Sequence, residues 1–440
     1  MKPSKYNYII PLDDRTAFFN GISEVFFIVP NNRVQIYQEI LENPNLYVED
    51  FQVFISAMKN GGFILDQNED EHDHLMKKYH SIRRSYELFI MVLPTYECNL
   101  RCWYCIQKHE GIGITKEVFE NLKQFADKHL DQTQIKTCTL SWFGGEPIMQ
   151  YNEVLEYTRF VQKLCNERGI IMRTSITTNA TLLSKERVDA LTSIGEVSFQ
   201  ISIDGPKKMH DKVKRLNNES AYDKVLSLIN YMAKKIHVTL RFNYTQKTLQ
   251  PHTILSELAE RIEPESRKNI NFLIYKVWQE KKENINQTKV TELFNGAAKL
   301  GFTPRLAETN LCYADYENFF CVFPNGRMAK CDNHGIHTAP GQLMPNGKIN
   351  WPKGLGYDIP PIELPNNECT TCKYLPCCWG PCPSKRETML AQDSYIHCFM
   401  PDRESEMQNN IRHNILNRIM LEKQEKSLSD LPDEAQNIHS

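Results

Sequence analysis

The chain lacks long hydrophobic runs and an excess of charge of either sign. No apolar stretch in its 440 residues approaches the ~18 residues that a membrane-spanning helix needs. Its 52 Lys and Arg balance 54 Asp and Glu, for a net charge of −2, so the composition gives no sign of nucleic-acid or anionic-membrane binding. The first residues contain no long apolar segment, so a secretory signal is not expected. We expect a cytoplasmic protein whose partners include neither nucleic acid nor membrane.

Cysteine is sparse in most of the chain and crowded in one part. Five of the 14 cysteines fall within residues 1–311, and the other nine lie between Cys312 and Cys398. Disulfide-dense domains are small and exported, which is not expected here, so clustered cysteines predict metal binding. In the crowded region Pro and Gly are frequent and periodicity is lost. Such a segment cannot build a conventional core, so it needs cross-links such as bound metal to hold it together.

Residues 85–290 alternate short β-rich runs with longer amphipathic stretches. The runs predict six strands, at 86–93, 136–142, 170–177, 196–203, 236–243 and 271–278. The stretches between them, such as Glu117–Leu130, place apolar residues at helical spacing. Strands that alternate with helices predict the α/β class, with a parallel sheet that is either an incomplete barrel or open. Function is then expected at the carboxyl ends of the strands.

The two ends of the chain are predicted to be separate from this region. In residues 1–80 the sequence predicts short strands and helices, in the order strands at 6–11, 16–19 and 24–29, helices at 34–41 and 50–58, and a strand near 63–65. This order fits a small winged-helix-like module. Residues 66–84 are predicted to be a solvated linker, and residues 403–440 a tail that is helical and then polar.

Three closely spaced cysteines follow the first predicted strand of the α/β region. Cys98, Cys102 and Cys105 form the pattern C-x3-C-x2-C. A loop that leaves a strand end can wrap three thiolates around one metal centre, and iron–sulfur clusters usually take four. Three ligands without a local fourth leave one iron open, as catalysis at a metal requires. Spacing alone does not exclude zinc.

This pattern, with Tyr104 before its last cysteine, resembles that of the radical S-adenosylmethionine (SAM) enzymes. The resemblance implies a partial, TIM-like (β/α)6 barrel over residues 85–290, a 4Fe–4S cluster on the three cysteines, and SAM on the fourth iron. It also implies reductive cleavage of SAM to a 5′-deoxyadenosyl radical that abstracts hydrogen. Further strings match the family in order at later strand ends: Gly144-Gly145-Glu146-Pro147, Thr177-Thr178-Asn179-Ala180, Ser202-Ile203-Asp204-Gly205-Pro206, His210-Asp211 and Arg241-Phe242-Asn243-Tyr244.

The resemblance implies which residues contact SAM: Tyr104, Gly144, Gly145, Glu146, Asn179, Ser202 and Arg215. The two glycines let backbone approach a ligand closely. Glu146 can accept hydrogen bonds from the amino group of SAM. Asn179, Ser202 and Arg215 are expected at its ribose and carboxylate. Taken singly, such residues are as well explained as helix caps or turn residues.

The crowded cysteines resemble the SPASM extension of radical SAM enzymes, which implies a domain at 305–402 with two auxiliary 4Fe–4S clusters. The implied ligands of one cluster are Cys312, Cys321, Cys331 and Cys382. Those of the other are Cys369, Cys372, Cys378 and Cys398. Cys377 stands directly before Cys378, so which of the two is the cluster ligand stays open. A zinc ribbon is the alternative for the C-x2-C pairs. Cys138 and Cys165 are expected to pack as small hydrophobes.

The resemblance implies an enzyme, a radical SAM oxidoreductase that modifies a peptide. The module at 1–80 is interpreted as binding the leader of a ribosomal precursor peptide. The leader would add as a strand along residues 24–29, beside the helix at 50–58. The alternative is that it is a structural cap. The expected product is an oxidative cross-link, either thioether, carbon–carbon or ether, and the expected electron donor is a protein such as flavodoxin or ferredoxin. Two other functions stay open: an anaerobic sulfatase-maturating enzyme that forms formylglycine, and a non-catalytic iron–sulfur or zinc scaffold that binds peptide.

Overall fold

The structure, a computed structural model, describes residues 1–83, 86–217, 219–281, 285–307, 311–352, 368–390, 398, 400 and 402–429. The chain divides into two compact units. The first contains residues 1–84, 308–316 and 354–440, and the second contains 85–307 and 317–353. Residues of the predicted SPASM region, 305–402, therefore belong to both units.

The first unit begins with a small β-rich module. Its elements are β1 (Lys2–Pro3), β2 (Asn7–Pro11), β3 (Arg15–Asn20), β4 (Phe26–Pro30), α1 (Val34–Glu42), α2 (Gln52–Asn60), β5 (Ile64–Leu65) and α3 (Glu71–Ile82). Strands β2, β3 and β4 form an antiparallel sheet in that order, and β1 pairs with β5. Side chains alternate between the two faces of the sheet. Phe18 and Val29 pack with Ile40 and Ile55 of α1 and α2 on one face.

Helix α3 lies where a solvated linker was predicted, so that prediction was wrong. Asp70 caps the helix by accepting a hydrogen bond from the His72 backbone N–H at 2.9 Å. Leu75 and Tyr79, four residues apart, are buried on one side of the helix. The charged residues that indicated a linker form the exposed face of an amphipathic helix.

The second unit is built on a mostly parallel sheet. Its strands are β6 (Glu87–Val92), β7 (Thr137–Trp142), β8 (Ile171–Thr178), β9 (Val197–Ile203), β10 (Val238–Tyr244), β11 (Ile270–Lys276), β12 (Thr303–Leu306), β13 (Phe319–Val322), β14 (Arg327–Ala329), β15 (Gly341–Leu343) and β16 (Ile349–Asn350). Their order is β12-β11-β10-β9-β8-β7-β6-β13-β14-β15-β16. Strands β6 to β12 are parallel and stand in chain order, and β13 adds parallel to β6. The α/β class and the parallel sheet are confirmed.

Helices connect successive parallel strands of this sheet. They are α4 (Lys116–Leu130), α5 (Tyr151–Arg168), α6 (Lys185–Thr192), α7 (Lys207–Val213), α8 (Ala221–Ala233), α9 (Pro251–Arg261), α10 (Pro264–Arg267) and α11 (Gln287–Lys299). All six predicted strands are present, and β12 is a seventh parallel strand that the pattern missed. Strand β12 is short, lies at the sheet edge and contains Pro304, which lacks a backbone donor.

The first unit ends with α12 (Leu375–Cys378), α13 (Pro383–Leu390) and α14 (Arg403–Ser429). Met407, Ile411 and Ile415 of α14 pack against Tyr8 and Phe19 on the second face of the β2–β3–β4 sheet. The predicted tail therefore supplies part of the core of the N-terminal module. In the described part of the chain, no helix is long and apolar enough to cross a membrane.

Candidate active site

The three cysteines of the C-x3-C-x2-C pattern lie in a loop that begins after β6. Its base is closed by backbone pairing, because Tyr96 N–H donates to Ile112 O at 2.9 Å and Ile114 N–H donates to Pro94 O at 2.8 Å. Within the loop Cys98 is buried, Cys102 is half-buried and Cys105 is exposed. The closed base holds the thiols at the carboxyl end of the parallel sheet, where function was expected.

The Gly144-Gly145 pair lies against this loop with no room for side chains. Gly145 N–H donates to Thr95 O at 3.1 Å, and Glu146 N–H donates to Glu97 O at 2.9 Å. A Cβ added to Gly145 would stand 2.0 Å from Glu97 O, and Gly144 has a φ of +115°. The glycines are therefore required by close packing of two backbone segments, and they fix the approach to Cys98.

The Glu146 carboxylate is buried and holds the ends of β7 and β8 together. Its Oε1 accepts from Thr178 Oγ1 at 2.6 Å and from Ile148 N–H at 3.1 Å, and its Oε2 accepts from Asn179 N–H at 2.8 Å. Burial raises the pKa of this carboxyl, and these hydrogen bonds oppose the rise. These hydrogen bonds from Thr178, Ile148 and Asn179 to Glu146 fix the positions of the residues beside the cysteine loop.

Asn179 joins the end of β8 to the first cysteine. Its Nδ2 donates to Asn99 Oδ1 at 3.0 Å and approaches Cys98 Sγ at 3.7 Å. The Leu100 backbone N–H also points at Cys98 Sγ, at 3.4 Å. Hydrogen bonds to cluster sulfurs are one of the means by which proteins tune iron–sulfur centres. The donors around Cys98 therefore fit a thiolate that binds iron.

A buried polar network connects Tyr104 with the ends of β9 and β10. The Tyr104 hydroxyl donates to Asp204 Oδ1 at 2.5 Å, and Asn243 Nδ2 donates to the same oxygen at 3.1 Å. Lys214 Nζ lies 3.2 Å from Asp204 Oδ2 and donates to the Ser202 hydroxyl at 2.6 Å. Burial would raise the pKa of Asp204, but the Lys214 ammonium and other contacts hold it below its usual value. The network keeps a buried negative charge paired beside the cysteine loop.

Lys214, and not its neighbour Arg215, is the cation buried beside Asp204 at the end of β9. The Arg215 side chain is exposed, and its Nε donates to Lys212 O in its own loop at 3.1 Å. Lys214 is buried, and its ammonium donates a hydrogen bond to Ser202 O at the end of β9, at 2.6 Å. Sequence reasoning also assigned no role to Asp204 or Asn243. Their position directly at strand ends was the signal that could have found them.

Burial raises the pKa of the Cys98 thiol and raises that of Cys102 to about 11, although the nearby Lys214 ammonium opposes the change at Cys102. Thiolates, rather than thiols, bind metal, so loading must release protons and depends on pH.

In the first unit, four of the crowded cysteines line one cavity. They are Cys369, Cys372, Cys378 and Cys398. Arg403 and Glu368 line the same cavity, and the Tyr374 backbone N–H points at Cys372 Sγ at 3.4 Å. This set is the one that the resemblance implied for the second auxiliary cluster.

Three cysteines lie outside the implied ligand sets. Cys377 is not among the residues that line the cavity, and its thiol hydrogen-bonds with Tyr8. A Cβ added to Gly21 would stand 3.2 Å from Cys377 Sγ. Cys138 and Cys165 are fully buried and hydrogen-bonded to each other, in keeping with a packing role.

The other implied set is divided between the two units. Cys312 and Cys382 belong to the first unit. Cys321 and Cys331 belong to the second, where Cys321 is buried on β13 and the Asn333 backbone N–H points at Cys331 Sγ at 3.4 Å.

Within the described ranges, no three His, Cys, Asp or Glu side chains are placed to hold one metal ion. The four thiols around the cavity, with the Tyr374 backbone N–H aimed at Cys372 Sγ, are donors of the kind that iron–sulfur clusters take.

Comparison with known proteins gives matches over the part of the chain that contains the cysteine loop. Residues 92–250 match the model of the radical SAM superfamily. The chain is 29% identical over 170 residues to the Fe-coproporphyrin III synthase of Methanosarcina barkeri, which covers 38% of this chain and 39% of that protein. It is 29% identical over 155 residues to the serine-type anaerobic sulfatase-maturating enzyme of Bacteroides thetaiotaomicron, which covers 33% and 37%. The chain thus spans less than half the length of these curated relatives.

The fold is similar to a solved structure of Streptococcus suis SuiB bound to the precursor peptide SuiA. The TM-score is 0.51 at 14% identity, and the match covers 91% of this chain and 99% of that one. The family match includes Cys98, Cys102, Cys105, the two glycines and the ends of β8 to β10. Residues 92–250 are therefore similar to the radical SAM superfamily, and the match includes the cysteine loop and the strand ends described above.

Proposed function

We propose that the chain is a maturase of a ribosomally made precursor peptide, in which it forms an oxidative cross-link through a thioether, carbon–carbon or ether bond. The observation that carries this proposal is the edge strand β4 of the N-terminal module. We also propose that residues 1–80 are a winged-helix-like leader-recognition module, that 85–290 are the radical SAM partial barrel, that 305–402 hold two auxiliary clusters and that 403–440 are a tail.

Strand β4 offers backbone groups for a peptide to pair with. Among the described residues it pairs only with β3. Asn20 N–H donates to Val25 O at 3.0 Å, so by antiparallel alternation the N–H groups of Phe26 and Ile28 point away from β3. An unpaired edge of this kind accepts an added strand.

Apolar side chains lie beside this edge. Phe27 of β4 contacts Tyr37 and Phe54, with ring centroids 5.9 and 5.7 Å away, and all three rings are incompletely buried. Val53 on α2 is 86% exposed. Main-chain pairing supplies affinity in strand addition, and such side chains supply pockets for specificity. The surface therefore favours a leader with apolar residues next to its pairing segment.

The likeness to SuiB reaches into this module. Because 91% of the chain is covered, about 40 of its 440 residues lie outside the match. The module of 80 residues is larger than that, so part of it is matched. That solved structure contains a precursor peptide, which supports a peptide substrate here.

The chemistry follows from the cysteine loop. Cys98, Cys102 and Cys105 would hold a 4Fe–4S cluster, which together with SAM would supply a 5′-deoxyadenosyl radical for taking a hydrogen atom from the peptide. Closing the cross-link then removes one proton and one electron, so the product is two hydrogens lighter. We propose that the auxiliary cysteine sets hold the acceptors of that electron. A flavodoxin or ferredoxin of a reducing cytoplasm is the proposed donor for SAM cleavage.

A second candidate is an anaerobic sulfatase-maturating enzyme, which forms formylglycine. The observation that favours it is the 29% identity over 155 residues to the Bacteroides thetaiotaomicron enzyme. A non-catalytic scaffold is disfavoured, because Cys98, Cys102 and Cys105 and the tight packing around them are intact.

The experiment is co-expression with short open reading frames encoded beside this gene, followed by mass spectrometry of the peptides. We expect a loss of two hydrogens per modification. Ile28→Pro removes an outward-facing N–H and should abolish modification, whereas Ile28→Ala, which keeps that N–H, should retain it. An unchanged peptide together with a modified co-expressed sulfatase would support the second candidate instead.

A further inference from the structure

The cavity lined by Cys369, Cys372, Cys378 and Cys398 has two charged side chains in its wall. Arg403 is the first residue of α14, and Glu368 precedes Cys369. The two side chains form an ion pair, with Arg403 NH1 3.2 Å from Glu368 Oε2. The other lining residues, Tyr374, Leu375, Gly380 and Pro381, carry no charge at neutral pH. Among the described residues that line the cavity, Arg403 and Glu368 are thus the side chains that carry charge at neutral pH.

Arg403 lies in the field of the cysteines. Its pKa is raised chiefly by Cys372, and Cys398 and Glu368 add to the effect while partial burial opposes it. Glu368, which directly precedes Cys369, contributes charge of the opposite sign. The wall therefore places a cation and an anion, bonded to each other, within electrostatic reach of the same thiols.

A four-thiolate cluster is negative, and it becomes more negative by one charge on reduction. Net charge near a cluster is one of the factors that set its reduction potential. A nearby cation stabilises the reduced form and raises the potential, whereas a nearby anion lowers it. The Arg403 and Glu368 side chains are 41% and 33% exposed, so solvent screens part of this interaction and the expected shifts are modest.

We propose that Arg403 and Glu368 are an opposed pair of tuning residues that sets the reduction potential of the auxiliary cluster held by Cys369, Cys372, Cys378 and Cys398. The inference rests on the proposed function, in which this cluster accepts the electron released as the cross-link closes. Arg403 makes acceptance more favourable, and Glu368 limits the effect, so that the electron can leave again before the next turnover.

The test is a potentiometric titration followed by electron paramagnetic resonance on the full chain, reconstituted without air. A Cys98→Ala/Cys102→Ala/Cys105→Ala background removes the signal of the three-cysteine cluster. Arg403→Gln should shift the midpoint potential to a more negative value, and Glu368→Gln should shift it to a more positive value. The double variant should return close to the parent.

Two controls separate tuning from structure. Arg403→Lys keeps the charge and should stay near the parent potential. Lys373→Gln removes a cation that pairs with Glu404 at 3.2 Å and does not line the cavity, so its shift should be smaller than that of Arg403→Gln. If Arg403→Gln fails to assemble the cluster, Glu368→Gln still tests the sign. Potentials that do not move, or that move in the same direction in both glutamine variants, would overturn the inference.

Iron content distinguishes failure of the tuning role from failure of the cluster assignment, whereas the mass of the co-expressed peptide tests the proposed function separately. Replacing Cys369, Cys372 and Cys378 by Ala together should remove about four iron atoms per chain. If iron is unchanged, the cluster itself is misassigned. If iron is lost as expected but the glutamine variants keep the parent potential, only the tuning role is excluded.

Discussion

Arg386 and Asp315 form an ion pair that is almost completely excluded from solvent, with 0% and 3% of their side chains exposed. Arg386 also donates to Pro381 O at 2.9 Å, and Arg83 Nε donates to Asp315 O at 3.1 Å. Cys312 lies three residues before Asp315, and Cys382 lies four before Arg386. The ion pair therefore connects the chain segments that carry two of the proposed ligands of one auxiliary cluster.

Removing one partner of this pair should destabilise the first unit. In Arg386→Met the Asp315 carboxylate stays buried without its cation, which costs about 3–5 kcal/mol. We expect a lower midpoint of urea unfolding and less bound iron. Arg386→Met/Asp315→Leu should recover much of the loss, since an apolar pair leaves no buried charge. Arg15→Met, which breaks an exposed pair, is the control. Unfolding of Arg386→Met at the wild-type midpoint would contradict this role.

Gly145→Ala should impair SAM binding. The new Cβ would stand 2.0 Å from Glu97 O, so the backbone that leads into Cys98 must move. Such overpacking costs about 1–3 kcal/mol, which corresponds to about 5- to 150-fold in affinity when all of it is lost from SAM binding. Gly113→Ala is the matched control, because its Cβ meets only the flexible end of Gln150, at 2.7 Å. Equilibrium binding of SAM to the reconstituted variants makes the comparison, and equal affinities would refute the packing argument.

Neighbouring cysteines should differ in their effect on iron content. Cys378→Ala removes a thiol from the four-cysteine cavity and should cost about four iron atoms per chain. Cys377→Ala removes a thiol that contacts Tyr8 and should leave the iron content unchanged. Iron analysis of anaerobically reconstituted protein measures both. The reverse result would assign Cys377 to the cluster.

His210 should make stability depend on pH. Burial lowers its pKa to about 3, and the Lys214 ammonium adds to the effect. Because the unfolded chain binds this proton near pH 6.5, folding stability should fall as the pH drops from 6.5 towards 3, by about 2 kcal/mol at pH 5. Urea unfolding at pH 7 and pH 5 should show a smaller difference for His210→Gln than for the wild type. Equal differences would mean that His210 does not carry this dependence.

The parallel sheet was predictable because its strands and helices have strong and different periods. The six predicted strands differ from the observed ones by no more than about two residues at each end. Strand β13 was not predicted, because it lies in the cysteine-rich part where periodicity fails. Helix α3 was missed because charged residues on its exposed face outnumber Leu75 and Tyr79 on its buried face.

The candidate site was predictable where a residue type is itself diagnostic. Thiols at C-x3-C-x2-C spacing and two adjacent glycines are such signals. The choice between Lys214 and Arg215 was not predictable, because two adjacent cations follow the end of α7 at Val213, and the path of that turn decides which one points inward. The pairing of Tyr104 with Asp204 joins residues 100 positions apart and depends on the tertiary fold.

The central claim is that the cysteine loop supports reductive cleavage of SAM. The most direct measurement is 5′-deoxyadenosine release by reconstituted protein given dithionite and SAM under anaerobic conditions. The wild type and Cys138→Ala, which alters a buried cysteine outside the loop, should release it, and the Cys98→Ala/Cys102→Ala/Cys105→Ala variant should release none. Absence of 5′-deoxyadenosine from the wild type, or equal release by the triple variant, would contradict the account.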